Sequence, residues 1–391
     1  MQLLATSLVL APGALFTYAY AGYPTVLWMA SRRKPAFSVA SRTAQEEWPL
    51  VTLTVPVYNE ERNIRAKLDD LLGLDYPADR LHILVISDAS TDATERIVAE
   101  YADRGVELLR LPHRRGKTAA ENAAAACIRG TIVVNSDATV RLPGNALRAL
   151  VRAFDDPTVG VASGRDVSVG DARPQGNRGE SEYVGYEMWV RALETRVGSI
   201  VGASGCFYGI RARIYDAGFP EHLSRDFASA LMARSNDLRA VSVDDALCYV
   251  PRAGSLQAEF RRKIRTMARG LETLWQWRRM MNPRRYGSFA FMLFSHKLCR
   301  WLVYLSLPFA AAGLVALATS SLFGAAALAA VAVGTGLGAI ALRNGPESLR
   351  VGRAGALLGF AFASMFAGVL AWVTVLRRRQ NPVWEPTRRP A

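Results

Sequence analysis

Two apolar runs that each end abruptly in polar residues are the feature that most limits what this sequence can fold into. The run at 51–55 leads into Pro-Val-Tyr-Asn-Glu at 56–60, and the run at 83–86 leads into Ser-Asp-Ala-Ser-Thr-Asp at 87–92. Runs that are apolar on both faces are typical of strands buried in a parallel sheet. Ligands bind at the carboxyl ends of such strands, so these polar residues indicate a nucleotide or metal site and favour an enzyme.

The alternation of short β-rich runs with helical patterns continues to about residue 170. Strands are predicted at 50–57, 81–87, 105–110 and 131–136, with helices at 60–72, 92–103, 117–129 and 144–155. Such alternation predicts an α/β domain built on a parallel sheet with right-handed crossovers. Beyond it, 180–197 and 256–280 have helical spacing, and 238–250 has β character.

Long apolar segments at both ends of the chain predict a membrane protein. Residues 2–30, 301–342 and 354–376 are nearly uncharged, and runs near twenty apolar residues are long enough to span a bilayer. The first segment lacks the basic start of a signal peptide, so we expect an uncleaved anchor. Basic residues at 32–34 place the region after the first helix in the cytoplasm. Together with the several apolar segments, they predict a multi-pass protein of the inner or plasma membrane. The number of C-terminal spans and the side of the tail stay open.

The formal charge of +14 indicates membrane lipids rather than nucleic acid as the partner. Basic residues cluster beside the apolar runs, where they favour contact with anionic lipid. No aromatic-interleaved basic stripe or nucleic-acid motif is visible, so we expect no nucleic-acid partner. The four cysteines have no metal-ligand spacing, which fits a reducing compartment.

Four motifs in order resemble the family 2 glycosyltransferases. They are Val-Pro-Val-Tyr-Asn-Glu at 55–60, Ser-Asp-Ala-Ser-Thr-Asp at 87–92, Arg-Gly-Lys-Thr-Ala-Ala-Glu-Asn at 115–122 and Asn-Ser-Asp-Ala-Thr at 135–139. The chain is most similar to the membrane-embedded branch that includes cellulose, chitin and hyaluronan synthases. The resemblance implies a GT-A fold, a Rossmann-like and mostly parallel sheet, with flanking transmembrane and interfacial helices. It also implies inverting transfer of a sugar from a UDP-sugar to a glycan or lipid acceptor.

The resemblance and the hydropathy pattern together predict six segments. They are a transmembrane helix at 1–30, a linker at 31–47, a GT-A catalytic domain at 48–252, amphipathic interfacial helices at 253–296, a transmembrane region at 297–376 and a basic tail at 377–391.

The expected donor site lies on the first three motifs. The turn that contains Pro56, Tyr58 and Glu60, together with Asp88, would hold the uridine, because a carboxylate can accept a hydrogen bond from the base N–H. Lys117 opens a helix, where its ammonium and backbone N–H groups could meet phosphate. The alternatives are a helix-capping or turn role for Asp88 and a solvated position for Lys117.

The expected metal site lies on the fourth motif. Asp137 occupies the first position of the family's Asp-x-Asp motif, which binds a cation that bridges the diphosphate oxygens. Mg²⁺ or Mn²⁺ suits such a site, since hard cations take one or two carboxylates plus substrate phosphates. Thr139 stands where the second aspartate is expected, which leaves the metal affinity open.

The expected acceptor site combines a carboxylate with a Gly-rich loop. Asp226 matches the aspartate of the family's Glu-Asp motif, the expected catalytic base, and Arg225 replaces the glutamate. The alternative is a helix-start aspartate paired with Arg225. Gly205 and Cys206 lie in the loop 202–206, where the resemblance places acceptor binding.

The last family motif, Gln-x-x-Arg-Trp, is only partly present. Arg265 aligns with its arginine, Thr266 stands where the tryptophan is expected, and Arg262 and Arg265 could clamp the diphosphate. Their alternative role is binding to lipid headgroups. The resemblance favours a role in polysaccharide or glycan synthesis, with an export or accessory subunit as a partner. Two alternatives stay open: an enzyme that adds one sugar to a lipid, and a weakened nucleotide- or glycan-binding subunit.

Overall fold

The computed structural model describes residues 1–35, 37, 47–169, 178–215, 218–251, 256–344 and 352–377. Most of the predicted linker at 31–47, and the predicted basic tail beyond residue 377, lie outside the described residues. The described residues form two compact units. The helical unit contains Met1–Arg32 and the described residues of Gly170–Tyr183 and Ala253–Gln380, and the sheet unit contains those of Arg33–Val169 and Val184–Arg252.

The described helices are numbered in chain order. They are α1 Gln2–Thr17, α2 Tyr23–Ser31, α3 Ile64–Leu72, α4 Thr94–Ala99, α5 Lys117–Ala124, α6 Ala146–Arg152, α7 Arg178–Val197, α8 Arg225–Ser235, α9 Leu256–Gln276, α10 Pro283–Tyr286, α11 Ser288–Leu293, α12 Arg300–Ala318, α13 Leu322–Asn344 and α14 Gly352–Leu376. Short π-helical turns join α1 to α2 and α11 to α12.

The sheet unit contains one mixed sheet with strand order β3-β2-β1-β4-β6-β5-β7. Its strands are β1 Val51–Val57, β2 Leu81–Ser87, β3 Val106–Arg110, β4 Ile132–Ser136, β5 Val159–Val169, β6 Phe207–Arg211 and β7 Arg239–Pro251. β1 to β4 pair in parallel, β6 runs antiparallel to β4 and β5, and β5 pairs in parallel with β7. The predicted α/β class with a mostly parallel sheet is confirmed.

The centre of this sheet is buried on both faces. All seven residues of β1 are buried, including Thr52 and Thr54, so both faces of this strand are covered. Its odd-numbered residues from Val51 to Val57 pack in one core with Ile64, Leu68 and Leu71 of α3. This packing fixes the direction in which the polar turn after β1 leaves the sheet.

Strands β5 and β6 were not predicted, because glycine weakens β propensity inside a strand. Their glycines are required by close packing instead. A Cβ atom at Gly164 would lie 2.7 Å from the Phe207 ring, and one at Gly209 would lie 3.1 Å from the ring of Phe154. Tertiary packing therefore overrides the local signal here.

Among the described residues, the helical unit contains three helical segments long and apolar enough to cross a membrane. They are Gln2–Ser31, Ser288–Ala318 and Leu322–Ile340, and Ala361–Leu376 is a shorter apolar helix. Residues 288–296, which the sequence assigned to the interfacial segment, are therefore continuous with a candidate span. Helices α1 and α12 approach closely, since a Cβ atom at Gly313 would lie 2.8 Å from the Ala5 carbonyl oxygen. Small residues permit such contacts between membrane helices.

Candidate functional site

The turns that come after β1 and β2 interlock at one edge of the sheet. Asn59 and Ala89, each two residues past a strand end, both have positive φ. The backbone N–H of Asn59 donates to Ser90 Oγ at 3.1 Å, and the Asn59 Oδ1 atom accepts from the Thr91 N–H at 2.8 Å. The two strand-end motifs therefore form one polar surface at the carboxyl ends of the strands.

Asp88 lies beneath this surface and holds the loop before α5. Its side chain is buried, and its two oxygens accept from the backbone N–H groups of Arg115 and Gly116 at 2.7 Å each. Burial raises the pKa of Asp88, although these N–H groups oppose the shift. The expected contact with a nucleotide base stays a prediction, and each oxygen has a second lone pair for such a donor.

The other residues of the first turn differ in exposure. Pro56 is buried inside β1, opposite Ile86 of β2. The Tyr58 ring is partly exposed and lies under Arg114, whose Cζ atom is 3.7 Å from the ring centroid. Glu60 is buried and accepts from the Asn63 side chain at 2.8 Å. Of these three side chains, only that of Tyr58 is partly exposed.

Lys117 joins the end of β4 to the loop before β6. Its Nζ atom donates to Asp137 Oδ1 at 2.6 Å and to the Gly205 carbonyl at 3.1 Å. Burial alone would lower the pKa of Lys117, but the carboxylates of Asp137 and Glu121 outweigh it and raise the pKa. The ammonium therefore stays charged, and it is held by an ion pair with Asp137 rather than by solvent alone.

Asp226 begins α8 on the other side of the same loop. Ser224 Oγ donates to its Oδ1 atom, and a Cβ atom at Gly205 would lie 2.6 Å from its Oδ2 atom. The Asp137 backbone N–H donates to the Cys206 carbonyl at 3.1 Å. The structure thus brings together four of the predicted site residues, Lys117, Asp137, Gly205 and Asp226, with Cys206 beside them.

Two contacts tie the loop 202–206 to β5. Ser204 Oγ lies 2.7 Å from both carboxylate oxygens of Asp166, and the Ser204 N–H donates to Ser163 Oγ at 2.9 Å. The loop is therefore fixed where it meets Asp137 and Asp226. Asp166 was not singled out from the sequence, because it lies on a strand that was not predicted.

Lys67 is a second residue that the sequence did not single out. This α3 lysine is fully buried, and its Nζ atom donates to Ser136 Oγ at 2.7 Å and to the Val140 carbonyl at 3.1 Å. The two contacts bracket the turn that carries Asp137 and Thr139. Burial lowers the pKa of Lys67 to about 8, although the nearby carboxylates of Asp70 and Asp137 oppose the shift. A lysine in an amphipathic helix reads as exposed, so no sequence signal marked it.

The residues present fit a cation that is shared with a substrate. The Asp137 side chain is 25% exposed, and Thr139 lies two residues further along the same turn. Among the described residues no group of three or more His, Cys, Asp or Glu side chains could hold a metal ion by itself. One carboxylate with diphosphate oxygens and waters is a usual ligand set for Mg²⁺, so the site suits a cation that arrives with a nucleotide.

Arg262 and Arg265 belong to the helical unit, on α9. The Arg262 guanidinium donates to Glu259 at 2.8 and 2.7 Å, and the neighbouring Lys263 donates to Ser364 Oγ at 2.5 Å. Their expected contact with a diphosphate stays a prediction.

Comparisons with known proteins match both the sheet unit and the chain as a whole. Residues 52–219 match the family model described as Glycosyl transferase family 2. A mannosyltransferase from Pyrobaculum calidifontis, solved in complex with GDP-Man and Mn²⁺, superposes with a TM-score of 0.73 and 26% identity, over 97% of this chain and 99% of that one.

Two curated relatives match over shorter regions. An N-acetylglucosaminyltransferase of Rhizobium sp. is 29% identical over 219 residues, which cover 52% of this chain and 46% of that protein. A beta-monoglucosyldiacylglycerol synthase of Synechocystis sp. is 29% identical over 157 residues, which cover 39% of this chain and 33% of that protein. The matched regions span less than half the length of these two relatives.

Proposed function

We propose that this chain, which carries a family 2 glycosyltransferase domain, moves a sugar from a nucleotide sugar to a hydroxyl of a lipid or glycan acceptor at the membrane, with inversion. The observation that carries the proposal is the cluster of Lys117, Asp137, Gly205 and Asp226, in which an ammonium and a carboxylate lie on opposite sides of one loop.

The chemistry follows from the position of each group. The acceptor oxygen attacks the anomeric carbon while its proton passes to the Asp226 carboxylate. The bond between that carbon and the diphosphate oxygen breaks, and the nucleoside diphosphate leaves with the electron pair. Lys117 stabilises the negative charge that develops on the leaving group. Attack opposite the leaving group inverts the anomeric configuration.

Mg²⁺ or Mn²⁺ would be held by Asp137, with Thr139 in reach through water. When bound, the cation neutralises charge on the departing diphosphate. Lys117, which donates to Asp137 in this structure, would then meet the phosphates of the bound nucleotide. The mannosyltransferase relative was solved with Mn²⁺, which supports this assignment.

The donor and the acceptor are argued from the relatives and from composition. We propose a UDP-sugar as donor on the motif resemblance, while the mannosyltransferase relative carries GDP-Man, so both nucleotides belong in the test. A lipid acceptor is supported by the three membrane-compatible helical segments and by the glucosyldiacylglycerol synthase relative. The same helices support a multi-pass protein of the cell membrane, and the basic residues at 32–34 support a cytoplasmic position of the sheet unit.

The test uses the full chain in lipid nanodiscs. Release of nucleoside diphosphate is measured with a panel of UDP- and GDP-sugars, Mn²⁺, and lipid extracts as acceptors. We expect one donor to be consumed, and Asp226→Asn to reduce kcat by about 10² to 10⁴ while nucleotide binding is kept. Asp103→Asn, at an exposed position of the same unit, is the control.

Product analysis separates the open functions. A single sugar on a lipid indicates a lipid glycosyltransferase, and a long polymer indicates a polysaccharide synthase; either product supports the proposed sugar transfer. The anomeric configuration of the product is read by NMR. The enzyme assignment would be overturned, in favour of a binding subunit, if no donor gave release of nucleoside diphosphate above the background measured with Asp226→Asn.

A further inference from the structure

A buried ion pair lies directly behind the proposed site. The side chains of Arg225 and Glu121 are 3% and 2% exposed, and the Arg225 Nε atom lies 3.8 Å from Glu121 Oε2. The guanidinium also donates to Asn122 Oδ1. Its Cζ atom is 4.5 Å from the ring centroid of Tyr215 and 4.9 Å from that of Phe219. Arg225, the residue that replaces the family's glutamate, is thus enclosed on several sides.

Stability alone does not account for such a pair. Moving two charges out of water is expensive, and replacing a buried pair by apolar residues is often neutral or stabilising. Burial raises the pKa of Glu121, although Lys117 and Arg225 oppose the shift. Burial therefore disfavours the charge of the glutamate, and Lys117 and Arg225 offset this effect.

The pair connects the two helices that carry the reacting groups. Glu121 lies one helical turn after Lys117 on α5, and Arg225 immediately precedes Asp226 on α8. A second connection joins the same two helices, because Lys117 donates to the Gly205 carbonyl and Gly205 lies against the Asp226 carboxylate. Each helix start is therefore fixed at two places.

Further hydrogen bonds join α5 to the segment that leads into α8. They are Thr118 Oγ1 to the Leu223 carbonyl at 3.2 Å, Asn122 Nδ2 to the Phe219 carbonyl at 2.7 Å and the Tyr215 hydroxyl to the Glu121 carbonyl at 2.6 Å. These bonds use neutral groups and hold the helix in place. The ion pair adds a direct connection at the level of the reacting side chains.

We infer that Arg225 and Glu121 are positioning residues that hold Asp226 in register with Lys117. The inference rests on the proposed function, in which these two side chains serve the acceptor hydroxyl and the diphosphate. An error of about 1 Å between such groups can reduce turnover about 10²-fold. The arginine at position 225 is then a replacement that keeps the geometry of the base, with Glu121 as its required partner.

The experiment compares Glu121→Gln, Arg225→Lys and the double variant in the nanodisc assay. Glu121→Gln keeps the shape and removes the charge, and Arg225→Lys keeps the charge but loses the planar fork and its stacking. We expect each single variant to lower kcat about 10- to 100-fold, with donor KM and nucleotide Kd changed less than about threefold. The double variant should lose little more than the worse single variant, because the two residues act as a unit.

Arg191→Lys is the matched control, since Arg191 forms another little-exposed pair, with Glu187 on α7. Turnover is normalised to the number of nucleotide-binding sites, so a loss of folded protein does not count as a loss of kcat. The inference is overturned if both single variants keep kcat within about twofold, or if neither binds nucleotide, since the pair would then serve folding. If one variant fails to fold, the other decides.

Asp226→Asn distinguishes a failure of the positioning role from a failure of the proposed function. If that variant keeps full turnover, the proposed function itself fails, whatever the pair variants do. If it abolishes turnover while Glu121→Gln and Arg225→Lys remain fully active, only the positioning role fails.

Discussion

The buried Lys67 predicts that the free energy of unfolding depends on pH, and the structure sets the size of this effect. The folded chain lowers the pKa of this lysine from 10.5 to about 8, chiefly because burial penalises the charged form. At about 1.4 kcal/mol per pKa unit, the gap corresponds to about 3 kcal/mol of free energy of unfolding.

The sign of the effect is set by proton binding. Between pH 8 and 10.5 the unfolded chain binds a proton at Lys67 that the folded chain has lost. The free energy of unfolding therefore rises with pH across this window, and the gain is lost as the pH falls back from 10.5 to about 8. Lys67→Met removes the titration altogether. The free energy of unfolding of the wild type, relative to that of this variant, should accordingly increase by about 3 kcal/mol from pH 7.5 to 10.5.

Thermal unfolding of the nanodisc-embedded chain, followed by tryptophan fluorescence, measures this difference. For a domain of this size, about 3 kcal/mol corresponds to a change of about 6 to 12 °C in the difference between the two Tm values. Lys34→Met, which removes an exposed ammonium from the same unit, controls for the general effect of charge. A difference between wild type and Lys67→Met that stays flat over the whole pH range would refute the reasoning.

Three further predictions concern the site and the membrane helices. Gly205→Ala should lower kcat at least about 10-fold with little change in nucleotide Kd, because the new Cβ atom would meet the Asp226 carboxylate at 2.6 Å; an unchanged kcat would show that the loop gives way. Asp137→Asn should weaken Mn²⁺ binding in the presence of nucleoside diphosphate, measured by electron paramagnetic resonance, whereas Asp103→Asn should leave it unchanged. Gly313→Leu should lower the Tm, because a Cβ atom there would lie 2.8 Å from the Ala5 carbonyl oxygen; an equal Tm would argue against the close packing of α1 and α12.

The parts of the fold that could be predicted are those in which local pattern and tertiary environment agree. The buried strands β1, β2 and β4 read as apolar runs, and the family resemblance carried by their strand-end motifs is confirmed by the match at 52–219. The Gly-rich strands β5 and β6 could not be predicted, because their glycines serve contacts with residues far away in the sequence.

The candidate site divides in the same way. Lys117, Asp137 and Asp226 were identified from motifs, and the structure brings them together around Gly205. Glu121 and Lys67 were missed, because a charged residue in a short helix is normally solvated and only its burial marks it. The partner of Arg225 could not be found from sequence, since the two residues lie 104 positions apart and meet only through the packing of α5 and α8.

The hydrogen bonds of Asp88 bear on how a change of donor could arise. The carboxylate expected to read the base also holds the N–H groups of Arg115 and Gly116, immediately before Lys117. A substitution at Asp88 that admits a new base would therefore also remove the acceptors of the two N–H groups that precede Lys117, the residue proposed to meet the diphosphate. Engineering of donor choice is better directed at Tyr58, a partly exposed side chain whose ring lies under Arg114. A change of donor specificity is therefore more accessible through a substitution at Tyr58 than through one at Asp88.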